Sequence, residues 1–530
     1  MTLVSSRAPR PAVQIARPAV SAISLIFLLS VLTVVLFIAV RGPLKDDIAW
    51  LLYVARRWMA GRELYIDVVE VNPPLIIWIS AIPLGLARWL GVGAGSAAMP
   101  FFAALVLGCA WWTAMLLRER GGIFATWMPV FAAIGAVLLI LPAADLGQRE
   151  HLLTAAFLPY LVLFARSLDR PPHRAVSLSS VATLLFAGVL AGLGCALKPR
   201  YAAVFAVLEC LALTRGLRPW RIMPLSAFAA LAVYAGLVAI VCPAYLRNAV
   251  PMALALYGAT DVPFFTLLSD STLLLSGLAA TSGLLWLRRH RLREDSLMAV
   301  LATFAAAATV VCFLDGKDWY YHRLPATIAT VLALLTWIAA EPMPWRRWSQ
   351  WPSAVACLAV AVFVASSIQR LEPEAAGAVM PRQTAVDRLE QIIHAEHART
   401  YVAFSEWIAL GFPVVNETGV TWASRFDSMW ALKGEAWRAG FDPSATREWP
   451  VARWVTHDFI AGCPDIAVVD TRETMKYIDV LSAADPAFAR VWSRYRPIVS
   501  FDGLVVYRRR SAGCLDSWAA AKDRPSIAAR

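Results

Sequence analysis

The chain has 530 residues, of which 59% are hydrophobic and only 16% are charged, and its mean hydropathy is +0.59. An ordinary soluble protein needs a more highly charged surface, so this composition excludes that class and indicates a membrane protein. The net charge of +12 would suit a nucleic-acid-binding protein, but the arginines cluster in short segments between apolar runs. That distribution is typical of the positive-inside rule, and we expect no nucleic-acid partner.

The first predicted element is a membrane span at residues 20–40. This run is longer than the apolar core of a signal peptide and lacks a convincing small-residue cleavage site, so we predict an uncleaved anchor. Three arginines precede the span: Arg7, Arg10 and Arg17. They predict a cytoplasmic tail at 1–19, with the chain emerging on the periplasmic side near Arg41.

Further apolar runs follow, and together they predict about eleven transmembrane helices within residues 20–368. After the first, the runs are 97–117, 122–141, 152–165, 178–197, 201–213, 223–241, 265–287, 296–314, 326–340 and 351–367. The run 73–90 could also cross, but crossing would invert the side assigned to every later arginine-rich loop. We therefore predict an interfacial helix there, inside a first periplasmic loop at 41–96.

The composition changes at about residue 369, where charged residues become more frequent. A predicted helix at 384–398 alternates with short β-like runs at 400–404, 466–469 and 504–507. Residues 369–530 are therefore predicted to form a soluble periplasmic α/β domain of ordinary size. Two of the eight cysteines, Cys463 and Cys514, fall in this part. They could form a disulfide in an oxidising compartment, although spacing alone does not bring them within reach.

The first loop holds two adjacent carboxylates, Asp46 and Asp47, directly after a span. Carboxylates at this depth are costly unless they are hydrated or functional, and one of them could accept the proton of a hydroxyl nucleophile. In the alternative interpretation, one of the pair only caps the helix predicted at 48–59. The residues themselves leave both interpretations open.

A second polar segment, 145–151, separates two predicted spans. Asp145 and Glu150 are candidate acidic groups, and Arg149 could pair with a phosphate or a carboxylate. The alternative is a salt-bridged turn at the membrane surface.

Two further segments place cations at the same predicted boundary. Lys198 and Arg200 could hold a lipid phosphate, or they could simply snorkel to bulk headgroups. Tyr321, His322 and Arg323 open a later span, where the two basic side chains could contact a phosphate and the aromatic ring could border a bound ligand. The aromatic residues there are also typical of an interfacial belt.

The order Asp-Asp-x5-Tyr-x2-Arg-Arg-x3-Gly-x3-Tyr-x-Asp-x5-Pro-Pro-Leu, from Asp46 to Leu75, resembles the first loop of GT-C membrane glycosyltransferases. That superfamily includes protein O-mannosyltransferase-like and aminoarabinose-transferase-like enzymes. The resemblance implies a GT-C transmembrane fold and a catalytic acid at Asp46 or Asp47, of which Asp47 is favoured because it directly precedes the helix. Many relatives have lysine before the Pro-Pro pair, where this chain has Asn72, so the phosphate contact sometimes assigned to that lysine is in doubt.

The resemblance further implies an inverting transfer of a sugar from a polyprenyl-phosphate donor to a lipid, glycan or protein acceptor at the periplasmic face of a bacterial inner membrane. No cofactor is expected, although Asp46, Asp47 and Asp145 could share a divalent cation. The alternatives are a non-catalytic GT-C relative and a lipid-linked glycan transporter or ligase. The enzyme hypothesis requires that the four polar segments converge in one cavity open to the lipid.

Overall fold

The computed structural model of the protein describes residues 17–169, 178–289, 296–340, 351–380, 384–441 and 445–510. Eight helices in these ranges are long and apolar enough to cross a membrane. There are nine if Tyr245–Thr260 and Phe264–Asp270, which meet at a 78° bend, form one span. The chain is therefore a multi-pass α-helical membrane protein, as the apolar runs predict.

The helices of the apolar part are α1 (Arg17–Arg41), α2 (Asp46–Met59), α3 (Pro74–Leu90), α4 (Ala94–Arg118), α5 (Trp127–Ile140), α6 (Arg149–Asp169), α7 (Leu178–Leu197), α8 (Ala202–Thr214), α9 (Ile222–Val241), α10 (Val250–Leu256), α11 (Phe264–Asp270), α12 (Thr272–Leu287), α13 (Leu297–Asp315), α14 (Tyr320–Ala340) and α15 (Trp351–Val379). Short 3₁₀ turns at Ala143–Asp145, Pro199–Tyr201 and Tyr257–Thr260 lie between them. Helix α6 is buried from Arg149 to Ala165 and forms the centre of the bundle.

Every predicted span coincides with one or two of these helices, but α5, α8 and α12 have only 14, 13 and 16 residues. A 14-residue helix is about 21 Å long, shorter than the ~30 Å hydrocarbon core. The run 265–287 is divided at Ser271 into α11 and α12. A total of eleven spans remains a prediction.

The orientation across the membrane also remains a prediction, because much of its basis lies outside the described residues. The arginines of the predicted cytoplasmic segments that lie outside the described residues are Arg7, Arg10, Arg170, Arg174, Arg291, Arg293, Arg346 and Arg347. The predicted boundary at residues 368–369 falls inside α15, which continues as one helix to Val379.

Helices α2 and α3 form the predicted first loop. Helix α2 is amphipathic, with buried side chains from Ile48 to Ala55, acidic residues in its first turn and Arg56 and Arg57 in its last. These charges complement the helix dipole at both ends. Helix α3 packs on α2 and exposes large apolar side chains, including Ile82 and Trp89, as a helix in contact with lipid would.

The C-terminal part contains a five-stranded mixed sheet in the order β2-β1-β3-β5-β4. The strands are β1 (Thr400–Phe404), β2 (Thr421–Trp422), β3 (Ile466–Asp470), β4 (Tyr495–Phe501) and β5 (Leu504–Arg509). Strands β2, β1 and β3 are parallel, and β5 pairs antiparallel with both β3 and β4. The predicted α/β domain is confirmed, and its three predicted strands match β1, β3 and β5.

The sheet packs against α16 (Ala385–Ala395), α17 (Val414–Thr418), α18 (Trp430–Ala439), α19 (Ala445–Glu448), α20 (Val451–Gly462), α21 (Tyr477–Ala484) and α22 (Pro486–Trp492). The predicted helix at 384–398 begins with a capping box in which Thr384 and Asp387 satisfy each other's backbone N–H groups. Strands β1 and β3 are almost wholly buried, as central parallel strands require. Of the candidate disulfide pair, Cys514 lies outside the described residues.

The soluble domain is docked directly on the first loop. The Asn416 amide donates to the carbonyl of Ala49 at 3.1 Å, and the Val69 N–H donates to the carbonyl of Arg425 at 2.7 Å. The Phe412 ring lies edge-on to Trp50, with ring centroids 4.9 Å apart. These contacts bring the ends of β1 and β2 against α2, where the candidate site lies.

Candidate active site

A cavity of about 210 Å³ lies between the start of α2, the polar segment before α6, the turn before α14 and the soluble domain. Of the predicted site residues, five line it: Asp46, Asp47, Asp145, Arg149 and Tyr321. The other lining residues are Lys45, Trp50, Leu51, Glu70, Val71, Asn72, Tyr257, Trp319, Tyr320, Glu406, Trp407, Ile408, Asp427 and Trp430. Three of the four expected polar segments therefore meet here, together with a wall from the C-terminal domain.

The two adjacent carboxylates occupy the first turn of α2. The helix begins at Asp46, and its N-cap residue is Lys45, which makes no side-chain capping bond. The interpretation of Asp46 or Asp47 as the N-cap is therefore wrong. Instead, Asp46 accepts the Asp47 N–H at 2.9 Å and pairs with the Lys45 ammonium at 3.2 Å, and Gln148 Nε2 donates to Asp47 Oδ2 at 3.2 Å.

This environment keeps Asp47 near the point of ionisation at neutral pH. Burial raises the pKa of Asp47 from its ordinary 3.8 to about 7, and the negative charge of Asp46 adds to the rise against the opposing Arg149 and Lys45. Burial likewise raises the pKa of Asp145 to about 7, opposed by Lys45 and reinforced by Asp47. Two carboxyl groups that titrate near neutrality in one cavity are suited to proton transfer.

The polar segment before α6 reaches the cavity through a turn that depends on Gly147. Its φ of +93° favours glycine, and a Cβ there would lie 2.5 Å from Cδ2 of Phe102. Arg149 follows as the first residue of α6, only 8% exposed. Its Nε has no hydrogen-bond partner among the described residues. A buried guanidinium lining a cavity is a binding group for an anion.

Glu70 lies on the other side of the same cavity. The Trp50 indole donates to Glu70 Oε2, and Asn72 donates to Oε1 from its backbone N–H at 2.7 Å and from its amide at 2.5 Å. Burial raises the pKa of Glu70, and these donors oppose the rise. Asn72, which stands where many GT-C enzymes have lysine, therefore hydrogen-bonds to the Glu70 carboxylate.

The C-terminal domain adds two acidic residues that the sequence prediction missed, Glu406 and Asp427. Glu406 follows β1 and ion-pairs with Lys433 at 2.8 Å. Asp427 Oδ1 accepts the Ser428 N–H at 2.7 Å and the Trp430 indole N–H at 2.9 Å. Burial, followed by the negative charge of Glu70, raises the pKa of Asp427 well above its ordinary value.

Lys198, Arg200 and His322 belong to a separate ion-pair network, which is buried except for Arg200. Lys198 Nζ lies 2.7 Å from Glu150 Oε1 and 2.6 Å from Asp315 Oδ2. Asp315 also pairs with Arg200 at 2.5 Å and with His322 Nδ1 at 3.2 Å. None of these five lines the Asp47 cavity. The structure does not place this segment in the wall of the Asp47 cavity, and Glu150 and Asp315 supply the counter-charges that the buried Lys198 needs.

Arg323 also points elsewhere. Its Nη2 donates to the carbonyl of Asp318 at 2.8 Å, and its side chain lines a small cavity of about 30 Å³ with Arg370. The neighbouring Tyr321 lines the Asp47 cavity and stacks on Trp319, with ring centroids 5.9 Å apart. Only Tyr321 of this group therefore reaches the candidate site.

No protein-family model matches the sequence, and a search of curated proteins finds no significant match. Among solved structures, the chain is similar to ArnT from Cupriavidus metallidurans, a GT-C aminoarabinose transferase bound to undecaprenyl phosphate. The TM-score is 0.53 at 13% identity, and the match covers 93% of this chain and 99% of ArnT.

The chain has a GT-C fold. The likeness at this identity concerns the fold alone. The chain is also similar to AglB from Archaeoglobus fulgidus, an oligosaccharyltransferase solved with an inhibitory peptide and a dolichol-phosphate. That match covers 91% of this chain and 74% of the AglB chain, at 12% identity and a TM-score of 0.44.

Within this GT-C fold, the described residues contain no group of three or more His, Cys, Asp or Glu side chains arranged to hold a metal ion. Asp46, Asp47 and Asp145 are accordingly not assigned as metal ligands. The acidic groups of the C-terminal domain follow the carboxyl ends of the parallel strands β1 and β2, where α/β sheets bind ligands. That position is the one signal by which a sequence analysis could have found them.

Proposed function

We propose that this chain is a glycosyltransferase that moves a sugar from a polyprenyl-phosphate donor to a hydroxyl group of an envelope acceptor. One observation carries the proposal: Asp47 lies in a cavity just after the first membrane helix, with a pKa of about 7 and a buried arginine in the same wall. The GT-C fold shared with ArnT, whose structure holds undecaprenyl phosphate, supports the choice of donor.

In the proposed reaction Asp47 is the general base. It takes the proton of the acceptor hydroxyl while that oxygen attacks C1 of the sugar. The bond between C1 and the phosphate oxygen breaks, and polyprenyl phosphate leaves with the electron pair. Inversion at C1 is what the GT-C resemblance implies. With a pKa near 7, Asp47 is both partly ionised and basic enough at neutral pH, which favours general-base catalysis.

Arg149 is the proposed phosphate ligand. Its guanidinium lines the cavity, is almost fully buried and keeps Nε unpaired among the described residues, so a phosphate would supply the missing acceptor. As the leaving phosphate gains negative charge, a fixed positive group beside it lowers the barrier. Asp145 and Tyr321 would border the sugar, and Asp46 would hold Lys45 at the cavity wall.

We assign the Lys198 network a supporting part in place of the direct phosphate contact expected from the sequence. Lys198 forms an ion pair with Glu150, which directly follows Arg149 on α6. This pairing gives Glu150 a cationic partner other than Arg149, so the Arg149 guanidinium can bind a phosphate. Arg200, whose side chain is 58% exposed, forms a second ion pair with Asp315.

The proposed setting is a bacterial inner membrane, with the N-terminus in the cytoplasm and the C-terminal domain in the periplasm. Nucleotide sugars are absent there, which suits a lipid-linked donor. The acceptor would be a lipid, a glycan or a protein.

The test is an assay of purified, reconstituted protein with a panel of polyprenyl-phosphate sugars and envelope acceptors. Wild-type protein should transfer one of them, Asp47→Asn should not, and Glu63→Gln should behave as wild type. Glu63 is an exposed carboxylate of the same loop, so it controls for the change of charge. Turnover by Asp47→Asn equal to wild type would reject the mechanism. Donor binding without turnover by wild-type protein across the panel would favour a non-catalytic GT-C relative.

A further inference from the structure

Two large exposed aromatic residues lie at the C-terminal end of α18: Trp437 in its last turn and Phe441 just beyond Ala439, where the helix ends. Trp437 and Phe441 lie one turn apart, with ring centroids 5.4 Å apart in an edge-to-face arrangement. Phe441 is 78% exposed. The first part of α18 is buried, at Trp430, Ala431, Leu432, Gly434 and Glu435. A soluble domain rarely leaves two such rings together in water, so this end of α18 requires a partner.

The Trp437 ring adjoins Gly258, in a stretch of the apolar part that also exposes large apolar side chains. The Trp437 ring lies 3.6 Å from the position of a Cβ built on Gly258. Leu254, one turn before Gly258, is 78% exposed, and Phe265 is 79% exposed. We call Leu254, Phe265, Trp437 and Phe441 the apolar patch.

This patch is continuous with the side of a membrane-spanning helix. The Val262 N–H donates to the carbonyl of Gly316 at 2.9 Å, which ties the segment before α11 to the end of α13. The ring centroids of Phe264 and Phe313 are 5.8 Å apart, and Leu314 on the same helix is exposed. Exposed apolar side chains on α13 face lipid, since this helix has the length and hydropathy of a span.

We propose that the apolar patch rests in the interfacial region of the lipid bilayer, so that α18 anchors the soluble domain to the membrane surface. Aromatic rings with apolar bodies favour this depth. Helix α18 starts at Trp430, which lines the Asp47 cavity. One end of the helix therefore forms a cavity wall while the other end contacts lipid. The proposal does not depend on the reaction that the cavity catalyses.

The experiment places an environment-sensitive fluorescent amino acid at position 441 of the full-length protein in nanodiscs. The bilayer is phosphatidylethanolamine and phosphatidylglycerol, with or without bromine on the acyl chains. The control position is Ser500, an exposed residue of the edge strand β4 at the far end of the sheet. Brominated lipid should quench the probe at 441 by about twofold or more, as expected for an interfacial residue, and leave the probe at 500 unchanged.

Equal quenching at the two positions would overturn the proposal. So would a probe at 441 that is shielded from brominated lipid because a second copy of the chain covers it, as crosslinking would reveal. A second measurement uses native tryptophan in place of the probe. Trp437→Ser should reduce the bromine-dependent quenching of tryptophan emission, whereas Trp454→Phe, at a buried position in the same domain, should not.

Discussion

Substituting Asp47 by asparagine should abolish sugar transfer and stabilise the protein at alkaline pH. The two effects share one cause, because the cavity that keeps Asp47 basic also disfavours its charged form. Burial and the neighbouring Asp46 raise its pKa from 3.8 to about 7. A carboxyl group whose pKa is higher in the folded state than in the unfolded state stabilises the fold fully below pH ~4. This stabilisation is lost progressively as the pH rises to about 7.

The size of the stability effect follows from the pKa. A rise from 3.8 to about 7 corresponds to about 4 kcal/mol, at about 1.4 kcal/mol for each pKa unit. Because Asp47 still meets water in the cavity, we expect roughly half of this, about 2 kcal/mol. Asparagine carries no charge at any pH, so the gain for Asp47→Asn should be absent at pH 4 and complete by pH 9.

The assay follows transfer and thermal unfolding of the same reconstituted proteins from pH 4 to 9. Wild-type activity should rise with pH and reach half its maximum near pH 7, while Asp47→Asn should lose about 10²-fold or more, as expected for a missing general base. The unfolding temperature of Asp47→Asn should equal that of wild type at pH 4, rise above it progressively as the pH increases toward 7, and keep a constant excess above about pH 8. The exposed-site control Glu63→Gln should match wild type in both measurements.

Either half of this result can fail alone. Retained activity in Asp47→Asn would remove the residue from the mechanism, even if the stability gain appears. An unfolding temperature with the same pH dependence in both proteins would show that Asp47 is not held in a charge-disfavouring cavity. The explanation of its basicity would then be wrong.

Three more substitutions test the site. Arg149→Ala should weaken polyprenyl-phosphate binding by more than tenfold, through loss of a charge-assisted bond, whereas Arg200→Ala should change it little, as isothermal titration would measure. Gly147→Ala should lower the free energy of unfolding by about 2 kcal/mol or more, because the backbone has a positive φ and the added Cβ would clash with Phe102. The control Gly91→Ala should lower it less, because Gly91 also has a positive φ but has open space around it. Lys198→Met should lower the free energy of unfolding by about 3 kcal/mol and leave the affinity for the donor unchanged. A variant that is as stable as wild type but no longer binds the donor would show that Lys198 contacts the donor directly.

Much of the fold was accessible from the sequence because membrane insertion imposes long apolar runs. The runs locate each of the eight described helices long enough to span, but not the helical segment Tyr245–Thr260, and the rise in charge after residue 369 correctly predicts an α/β domain. The division of one run at Ser271 was missed, although the polar stretch at 269–272, which includes Asp270, interrupts the apolar residues there. Strands β2 and β4 were also missed, since β2 has two residues and β4 carries Arg496 and Pro497 on its exposed side.

The candidate site was only partly accessible. Asp47, Asp145 and Arg149 were predictable because charged residues beside a span need a reason to be there. The position of Lys198 was not, since its environment is set by two carboxylates from other helices, and pairing between distant segments leaves no local pattern. Asp427 comes from a different domain and reaches the cavity only through docking of that domain on α2.

The central position of α6 has a consequence for how the protein is made. Among the eight candidate spans in the described part of the chain, α6 combines the lowest hydropathy, 1.4, with the highest buried share, 83%, whereas the first span has 3.0 and 17%. A nascent α6 would therefore partition poorly from the translocon into lipid by itself and depends on helices synthesised before and after it. The segment that begins with Arg149 is the one whose biogenesis depends most on its neighbours.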